Sequence, residues 1–244
     1  MRRLTVMVAL AIAAGTVAID AQNPVKPKPP NKFTVLFNGK DLSGWRGRQP
    51  NYNPAEEARL SKEELAAKQA QWNVERDAHW QVDAENGEIV SDGKSPHLAT
   101  AKDYGNFELY VDWLMVSHNG DSGIYLRGYP QVQIWDPDNP REVKNGAPKG
   151  SGALWNNNAD NPGKWPLVRA DNPVGQWNTL RIRMIGSKVS VWLNGKLTVD
   201  NQVLDNFFER TQPVVARGPI ELQTHNSEMR FRNVYIREIP SEGR

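Results

Sequence analysis

The stretch Val189-Ser190-Val191-Trp192-Leu193, then Asn194-Gly195, then Lys196-Leu197-Thr198-Val199 constrains this chain more than any other. Apolar and polar residues alternate on either side of the Asn-Gly pair, so each run has one face for a core. A two-residue type I′ turn needs positive φ at both central positions, and Asn-Gly meets that need well. A β-hairpin is the expected result. The same period of two recurs elsewhere. Phe107, Leu109, Val111 and Trp113 alternate with Glu108, Tyr110 and Asp112, and Leu180, Ile182 and Met184 alternate with Arg181 and Arg183. Further strands are expected at 123–127, 132–135, 220–224 and 229–239.

One segment has a different character. Asn53-Pro54-Ala55-Glu56-Glu57 opens it, Ser61-x-x-Glu64 has the form of a capping box inside it, and good helix formers fill 65–70. It is expected to be a helix over about 54–75, with a break near Ser61 left open. Many short strands with a single helical insertion argue for a mainly β chain built as a two-sheet antiparallel sandwich. The full 244 residues suit one large domain, and nine Trp, 19 Gly and 17 Pro suit a turn-rich β protein with aromatic surface. Absent cysteine excludes disulfides, thiolate nucleophiles, iron–sulfur clusters and cysteine zinc sites. The formal charge of +2 is spread without a long single-sign block, which gives no electrostatic reason to expect nucleic acid.

The start of the chain is organised for export. Arg2 and Arg3 precede a mostly apolar run over 4–17, and a small-residue exit at Ala21 follows. That is the three-part pattern of a secretory signal over 1–21, with an apolar run short for a membrane span. A periplasmic or secreted protein is expected, without stable membrane insertion once the signal is removed. Asn23-Pro24-Val25-Lys26-Pro27-Lys28-Pro29-Pro30 then reads as an extended tether over 22–32, because so many prolines join neither helix nor sheet interior. The folded domain is expected over 33–240.

Several catalytic motifs fail on inspection. Gly120-Asp121-Ser122-Gly123 spells the tetrapeptide around a trypsin-like nucleophile, but the segment that supplies the base in such proteases is missing. No phosphate loop, dinucleotide glycine fingerprint or His-Glu-x-x-His helix is present. The Glu-x-Asp-x-Glu strand of many sandwich glucanases is missing too, so a two-carboxylate glycosidase has no direct support.

An ordered set of short segments resembles the 3-keto-disaccharide hydrolase domain family. The set opens with Val35-Leu36-Phe37-Asn38-Gly39-Lys40-Asp41-Leu42-Ser43-Gly44-Trp45 and Gly87-Glu88-Ile89-Val90. It continues through Tyr104-Gly105-Asn106-Phe107, Asp121-Ser122-Gly123-Ile124-Tyr125-Leu126-Arg127 and Gln131-Val132-Gln133-Ile134-Trp135-Asp136. It closes with Ser151-Gly152-Ala153-Leu154, Gly175-Gln176-Trp177-Asn178, Ile220-Glu221-Leu222-Gln223-Thr224-His225 and Phe231-Arg232-Asn233-Val234. The resemblance implies a concanavalin-like jelly roll acting on sugars whose C3 hydroxyl has been oxidised to a ketone. It also implies a partner reaction, a sugar 3-oxidising oxidoreductase that supplies this oxidised substrate. The long helical segment, and Trp155 where many relatives carry Tyr, depart from the pattern.

A 3-keto group acidifies the C2 proton, so a base can remove it and the C1–O bond can leave by elimination, with water adding back for net hydrolysis. Such a site needs a base that titrates near neutrality, a group to stabilise the enolate oxygen and a proton source for the leaving oxygen. Alternation places Glu221, Gln223 and His225 on one strand face; if Leu222 faces the core, they face a cleft. His225 is the expected base and Glu221 its companion, against the alternative of a solvated outer face. Arg127 is a candidate to polarise the ketone, and Tyr125, taken to share its face, to stack on a sugar ring. Asp121, Gln131, Gln133 and Trp135 are expected to bind sugar, with Trp155, Asn156, Asn157 and Asn158 as an amide-rich rim. No cofactor is required by this pattern. A divalent metal stays open, although Glu221 and His225, about 13 Å apart on a straight strand, cannot share one. His79, His97 and His118 lack a comparable constellation and read as structural or exposed. The rival functions are a non-catalytic carbohydrate-binding sandwich and a glycosidase with dispersed carboxylates.

Overall fold

The alternation over 107–113 extends in the computed structural model to β6 (Phe107–Met115), the middle strand of the larger of two antiparallel sheets. The structure describes residues 29–240; the expected signal at 1–21 and most of the 22–32 tether lie outside them. The larger sheet runs β11 (Lys196–Val203), β10 (Lys188–Leu193), β9 (Asn178–Ile185), β6, β13 (Met229–Glu238), β4 (Glu88–Ser91) and β3 (Trp80–Asp83), with β1 (Thr34–Val35) added along β13. The smaller sheet runs β2 (Trp45–Arg48), β5 (His97–Thr100), β12 (Ile220–Leu222), β7 (Asp121–Leu126) and β8 (Tyr129–Trp135). This is the two-sheet antiparallel sandwich that the alternation predicts, with the jelly-roll form that the family resemblance implies.

The hairpin expected at 194–195 forms. Asn194 and Gly195 have φ of 50° and 79°, and Leu193 faces Lys196 across the turn. Between the sheets, Phe107, Leu109, Val111, Leu180, Ile182 and Met184 from one side meet Leu98, Ile124, Leu126, Ile134, Ile220 and Leu222 from the other. All are fully buried, and removing such a side chain from water contributes roughly 1.5–3 kcal/mol.

The helical insertion differs from its expectation. The single helix over 54–75 is two: α1 (Pro54–Glu57) and α2 (Lys62–His79). The Ser61-x-x-Glu64 motif marks a true N-terminus rather than an internal feature. Ser61 Oγ accepts from the Glu64 amide at 3.1 Å, while the Ser61 amide donates to Glu64 Oε2 at 2.8 Å. Past 75 the helix continues to His79 and passes directly into β3. Side chains of α2 cover the open edge of β2: Asn73 Oδ1 accepts from the Gly47 amide, Gln69 donates to the Gly47 carbonyl and Arg76 to the Trp45 carbonyl. An edge strand that would otherwise expose unpaired backbone groups is thereby satisfied.

Candidate active site

Cross-strand register sorts the smaller sheet into two faces. Leu98, Leu222 and Ile124 are paired neighbours on the core side. On the opposite side Arg46 neighbours Ala99, Ala99 neighbours Glu221, and Glu221 neighbours Tyr125. Gly123 faces Gln133, and Asp121 faces Trp135, on the same side. One polar and aromatic face therefore crosses all five strands.

The insertion closes one end of that face. Arg48 donates to Glu221 Oε1 at 2.7 Å, to Glu57 Oε2 at 2.8 Å and to the Tyr52 carbonyl at 2.8 Å. His97 Nδ1 lies 3.1 Å from Glu221 Oε2, and the His97 ring meets Tyr125 edge-on at 4.8 Å. Arg48, His97 and Glu221 are buried, and Tyr125 OH donates to Asn51 Oδ1. Burial pushes the Glu221 carboxyl up, but the Arg48 charge and the His97 hydrogen bond outweigh it and hold the group below the usual carboxylate range. Burial, with help from Glu221 and Asp121, pushes the Tyr125 hydroxyl up.

The other end stays accessible. Asp121 Oδ2 lies 3.0 Å from His225 Nδ1, and the two side chains are 22% and 52% exposed. The Asp121 hydrogen bond holds the His225 imidazole above its ordinary value, against the opposing pull of partial burial. Because a carboxylate can only accept, neutral His225 carries its proton on Nδ1 and its lone pair on Nε2. Gln133 donates to Asp121 Oδ1 at 2.6 Å, and Gln131 donates to Gln133 Oε1 at 2.5 Å. Trp135, beside Asp121, meets Trp155 edge-on at 5.9 Å. Trp155 and Asn156 are half-buried there, whereas Asn157 is a buried anchor bonded to the Val203 carbonyl and the Asp205 amide.

Three expectations change. Arg127 does not share the polar face, because β7 ends at Leu126. Arg127 and Gly128, with φ of 55° and 79°, form a two-residue turn into β8 that swings the side chain out of alternation. Its guanidinium donates to the Gly105 and Val215 carbonyls and to Asn106 Oδ1; burial, then Arg217, pulls its pKa down to about 10. Second, Glu221, Gln223 and His225 do not lie on one strand. β12 stops at Leu222, and the chain then crosses toward the other sheet, with Thr224 bonded to Ser91 and the Asn226 amide to the Gly93 carbonyl. The carboxylate beside His225 is consequently Asp121, not Glu221. Third, His97 is structural, as one of its two expected places allowed, but it does sit in a constellation, on this face beside Glu221. Arg48, Glu57 and His97 were missed, and the one sequence signal for them was Arg46-Gly47-Arg48, two arginines spaced for one strand face. His79 and His118 pair with other carboxylates, Asp92 and Asp136. Among the described residues no group of three or more His, Asp and Glu side chains is arranged to hold a metal ion.

Residues 32–237 match the model of the 3-keto-alpha-glucoside-1,2-lyase-like domain. A protein of Bacteroides thetaiotaomicron named 3-keto-disaccharide hydrolase is 24% identical over a 277-residue alignment covering 95% of this chain and 87% of the relative. A crystal structure of a candidate glycosyl hydrolase from Parabacteroides distasonis is 25% identical and superposes with a TM-score of 0.59, covering 86% of this chain and 94% of that one. A second such structure from the same organism is 24% identical, with a TM-score of 0.57 over 86% of this chain and all of the other.

Proposed function

The chain belongs to the 3-keto-alpha-glucoside-1,2-lyase-like domain family, a family-level assignment to glycoside cleavage, and we propose that it cleaves 3-keto-disaccharides by elimination with His225 as the base. The Asp121–His225 pair at the accessible end of the polar face carries this reading. Nε2 of neutral His225 takes the C2 proton, the electrons of the broken C2–H bond pass into the C2–C3 bond, and the carbonyl π electrons move onto the ketone oxygen. The enolate then re-forms the C3 ketone and expels the glycosidic oxygen from C1, forming a C1=C2 double bond, and the departing oxygen takes up the proton held on His225 Nε2. Water adding across that bond, hydroxyl at C1 and hydrogen at C2, completes a net hydrolysis. Asp121 holds the ring in the productive tautomer and stabilises the imidazolium, the usual service of a carboxylate behind a catalytic histidine. Glu221, paired with Arg48 and His97, supports the face from beneath instead of touching substrate.

On this reading the substrate reaches the enzyme already oxidised at C3, which calls for a sugar 3-oxidising oxidoreductase acting before it, and the signal pattern at 1–21 supports work in the periplasm or outside the cell. The test compares a 3-keto-disaccharide with its unoxidised parent. The oxidised sugar should be cleaved far faster, and deuterium at C2 should slow the reaction or exchange with solvent. Equal rates would remove the elimination mechanism and leave an ordinary glycosidase. Binding of both sugars without turnover by folded protein, with and without added divalent metals, would leave a sugar-binding module.

A further inference from the structure

The outer face of the larger sheet carries an arrangement of charge that the cleavage mechanism does not use. On β9, Arg181 and Arg183 alternate with the core residues Leu180, Ile182 and Met184, so both arginines stand on the outside. Glu108 of β6 lies between Arg183 and Arg237 of β13, its direct neighbours in register. Yet Arg183 does not obtain that carboxylate. Arg181 donates from Nε to Glu108 Oε1 at 2.5 Å, and Arg237 donates from Nη2 to Oε2. Glu108 is only 4% exposed beneath the two guanidinium groups. Arg183 stays exposed, with no ion pair or side-chain hydrogen bond among the described residues. Together with Lys32 and Trp192 these residues line an open cavity of about 680 Å³. The other carboxylate of the lining, Glu238, is already paired with Lys102 and Arg217. The cavity therefore presents four cations against two carboxylates, both of them already bonded to cations.

Two of the arginines are fixed before any ligand arrives. The Arg181 guanidinium lies 4.5 Å from the Trp192 ring centre and that of Arg237 lies 5.2 Å from the Phe33 ring centre, while Glu108 ties both. Their remaining donors are unspent: Nη1 and Nη2 of Arg181, Nη1 of Arg237 and its buried Nε meet no acceptor among the described residues. Guanidinium N–H groups come in pairs that match the oxygens of a carboxylate or sulfate, and a fork already held in place loses little side-chain freedom on binding. A free ion would leave most of the cavity empty, whereas 680 Å³ is in the range of small-molecule sites, and half-buried Trp192 supplies an aromatic wall. We propose that this cavity is a second binding site, for the carboxylate or sulfate group of an acidic sugar, with Arg181, Arg183 and Arg237 as its donors and Lys32 as a further cation. It lies on the opposite face of the sandwich from Asp121 and His225, with the whole core between, and does not depend on their chemistry.

The test titrates the full mature protein by calorimetry, at low salt, with glucuronate, glucose 6-sulfate, glucose and inorganic sulfate. Both acidic sugars should bind at least about tenfold more tightly than glucose, the worth of one hydrogen bond between charged groups, and about 0.5 M salt should weaken them. Arg183→Gln and Lys32→Gln break no side-chain hydrogen bond of the described residues. Each should weaken the acidic sugars, Arg183→Gln about tenfold, with glucose binding and the unfolding midpoint as in wild type. Lys62→Gln, an exposed cation on α2 outside the cavity, should change nothing. If the acidic sugars bind no more tightly than glucose, or if both folded cavity variants bind them as wild type does, the proposal falls. Inorganic sulfate binding as tightly as glucose 6-sulfate would overturn the sugar as occupant and leave a site for a simple anion. Cleavage plays no part in these titrations, so a protein that shows this binding but does not turn over the 3-keto sugar loses the enzyme assignment alone.

Discussion

Two carboxylates on one face of the smaller sheet each hold a histidine, and their surroundings give them different work. Asp121 and His225 are partly open to solvent, whereas Glu221 and His97 are enclosed with Arg48. His225→Gln should leave thermal unfolding nearly unchanged while lowering turnover of a 3-keto-disaccharide by about two to four orders of magnitude, the usual worth of one acid–base group. A folded, nearly fully active variant would move the base elsewhere on the face. Asp121→Asn tests the pairing through pH. Asp121 raises the His225 pKa, so a base at this position gains activity as pH rises through a value above the ordinary imidazole value of about 6.5. The variant should move that limb of the kcat/KM profile to lower pH; an unmoved limb would separate His225 from the rate. The raised pKa also has a consequence for stability, present below about pH 6.5 and lost as pH rises through the folded value, and small because the pair is half-exposed.

Glu221 behaves in the opposite sense. Its folded pKa is lowered, so its contribution is present above the unfolded carboxylate value near 4.5 and is lost as pH falls through the folded value. Glu221→Gln leaves Arg48 buried with one fewer counter-charge, and should cost about 3 kcal/mol at neutral pH. Chemical denaturation of both proteins across the acid range checks this: the gap between them should narrow as pH falls below about 4.5. An unchanged gap would mean that the Arg48–Glu221 pair contributes nothing net.

The elements that matter most to the site are the two helices of the insertion and the edge strand they cover. α1 begins with Pro54, which sits close enough to Gly128 that a Cβ there would come within 2.8 Å of it, and its Glu57 completes the bonds of Arg46 and Arg48. α2 lies so near β2 that a Cβ on Gly47 would approach the Trp72 carbonyl oxygen to 2.0 Å, a backbone contact that no rotamer change relieves. Asn73→Ala should therefore speed hydrogen exchange at the Gly47 amide, which bonds its side chain, and leave the Asn194-Gly195 hairpin as slow as before. Ser61→Ala removes half of a capping box and should cost about 1 kcal/mol, read as a lower unfolding midpoint. If neither change is felt, the insertion lies on the sandwich without supporting it.

At the scale of the whole molecule, the candidate site exists only because distant stretches are brought together. Asp121 and His225 are 104 residues apart in sequence, and Arg48 and Glu221 are 173 apart. The crossover after β12 does this, since it carries His225 off the smaller sheet and over Asp121 before the chain enters β13. The other whole-molecule expectation concerns the start of the chain. Intact-mass analysis of protein recovered from the periplasm or medium should show a chain beginning near Gln22. A full-length mass would favour a retained N-terminal anchor.

Alternation determined much of this protein from sequence alone, because a period of two is a local property of the backbone. The strands at 107–115 and 178–185, the Asn194-Gly195 hairpin and the two-sheet class follow from neighbours in the chain, and the family from motifs in order. The helical insertion was legible as helix, and its capping box already held the break that the structure shows. Pairings across the fold were not legible. Local pattern cannot say that Asp121, and not Glu221, meets His225, since that depends on where β12 stops and the chain changes sheets. Nor can it say that Arg127 falls in a turn, where positive φ ends the alternation that had placed it beside Tyr125. His97 carried no signal because its partner lies 124 residues away on a neighbouring strand. Side-chain direction within a strand is decided by the residue before and after; which carboxylate a histidine finds is decided by sheet order, and sheet order is set by the packing of the whole core.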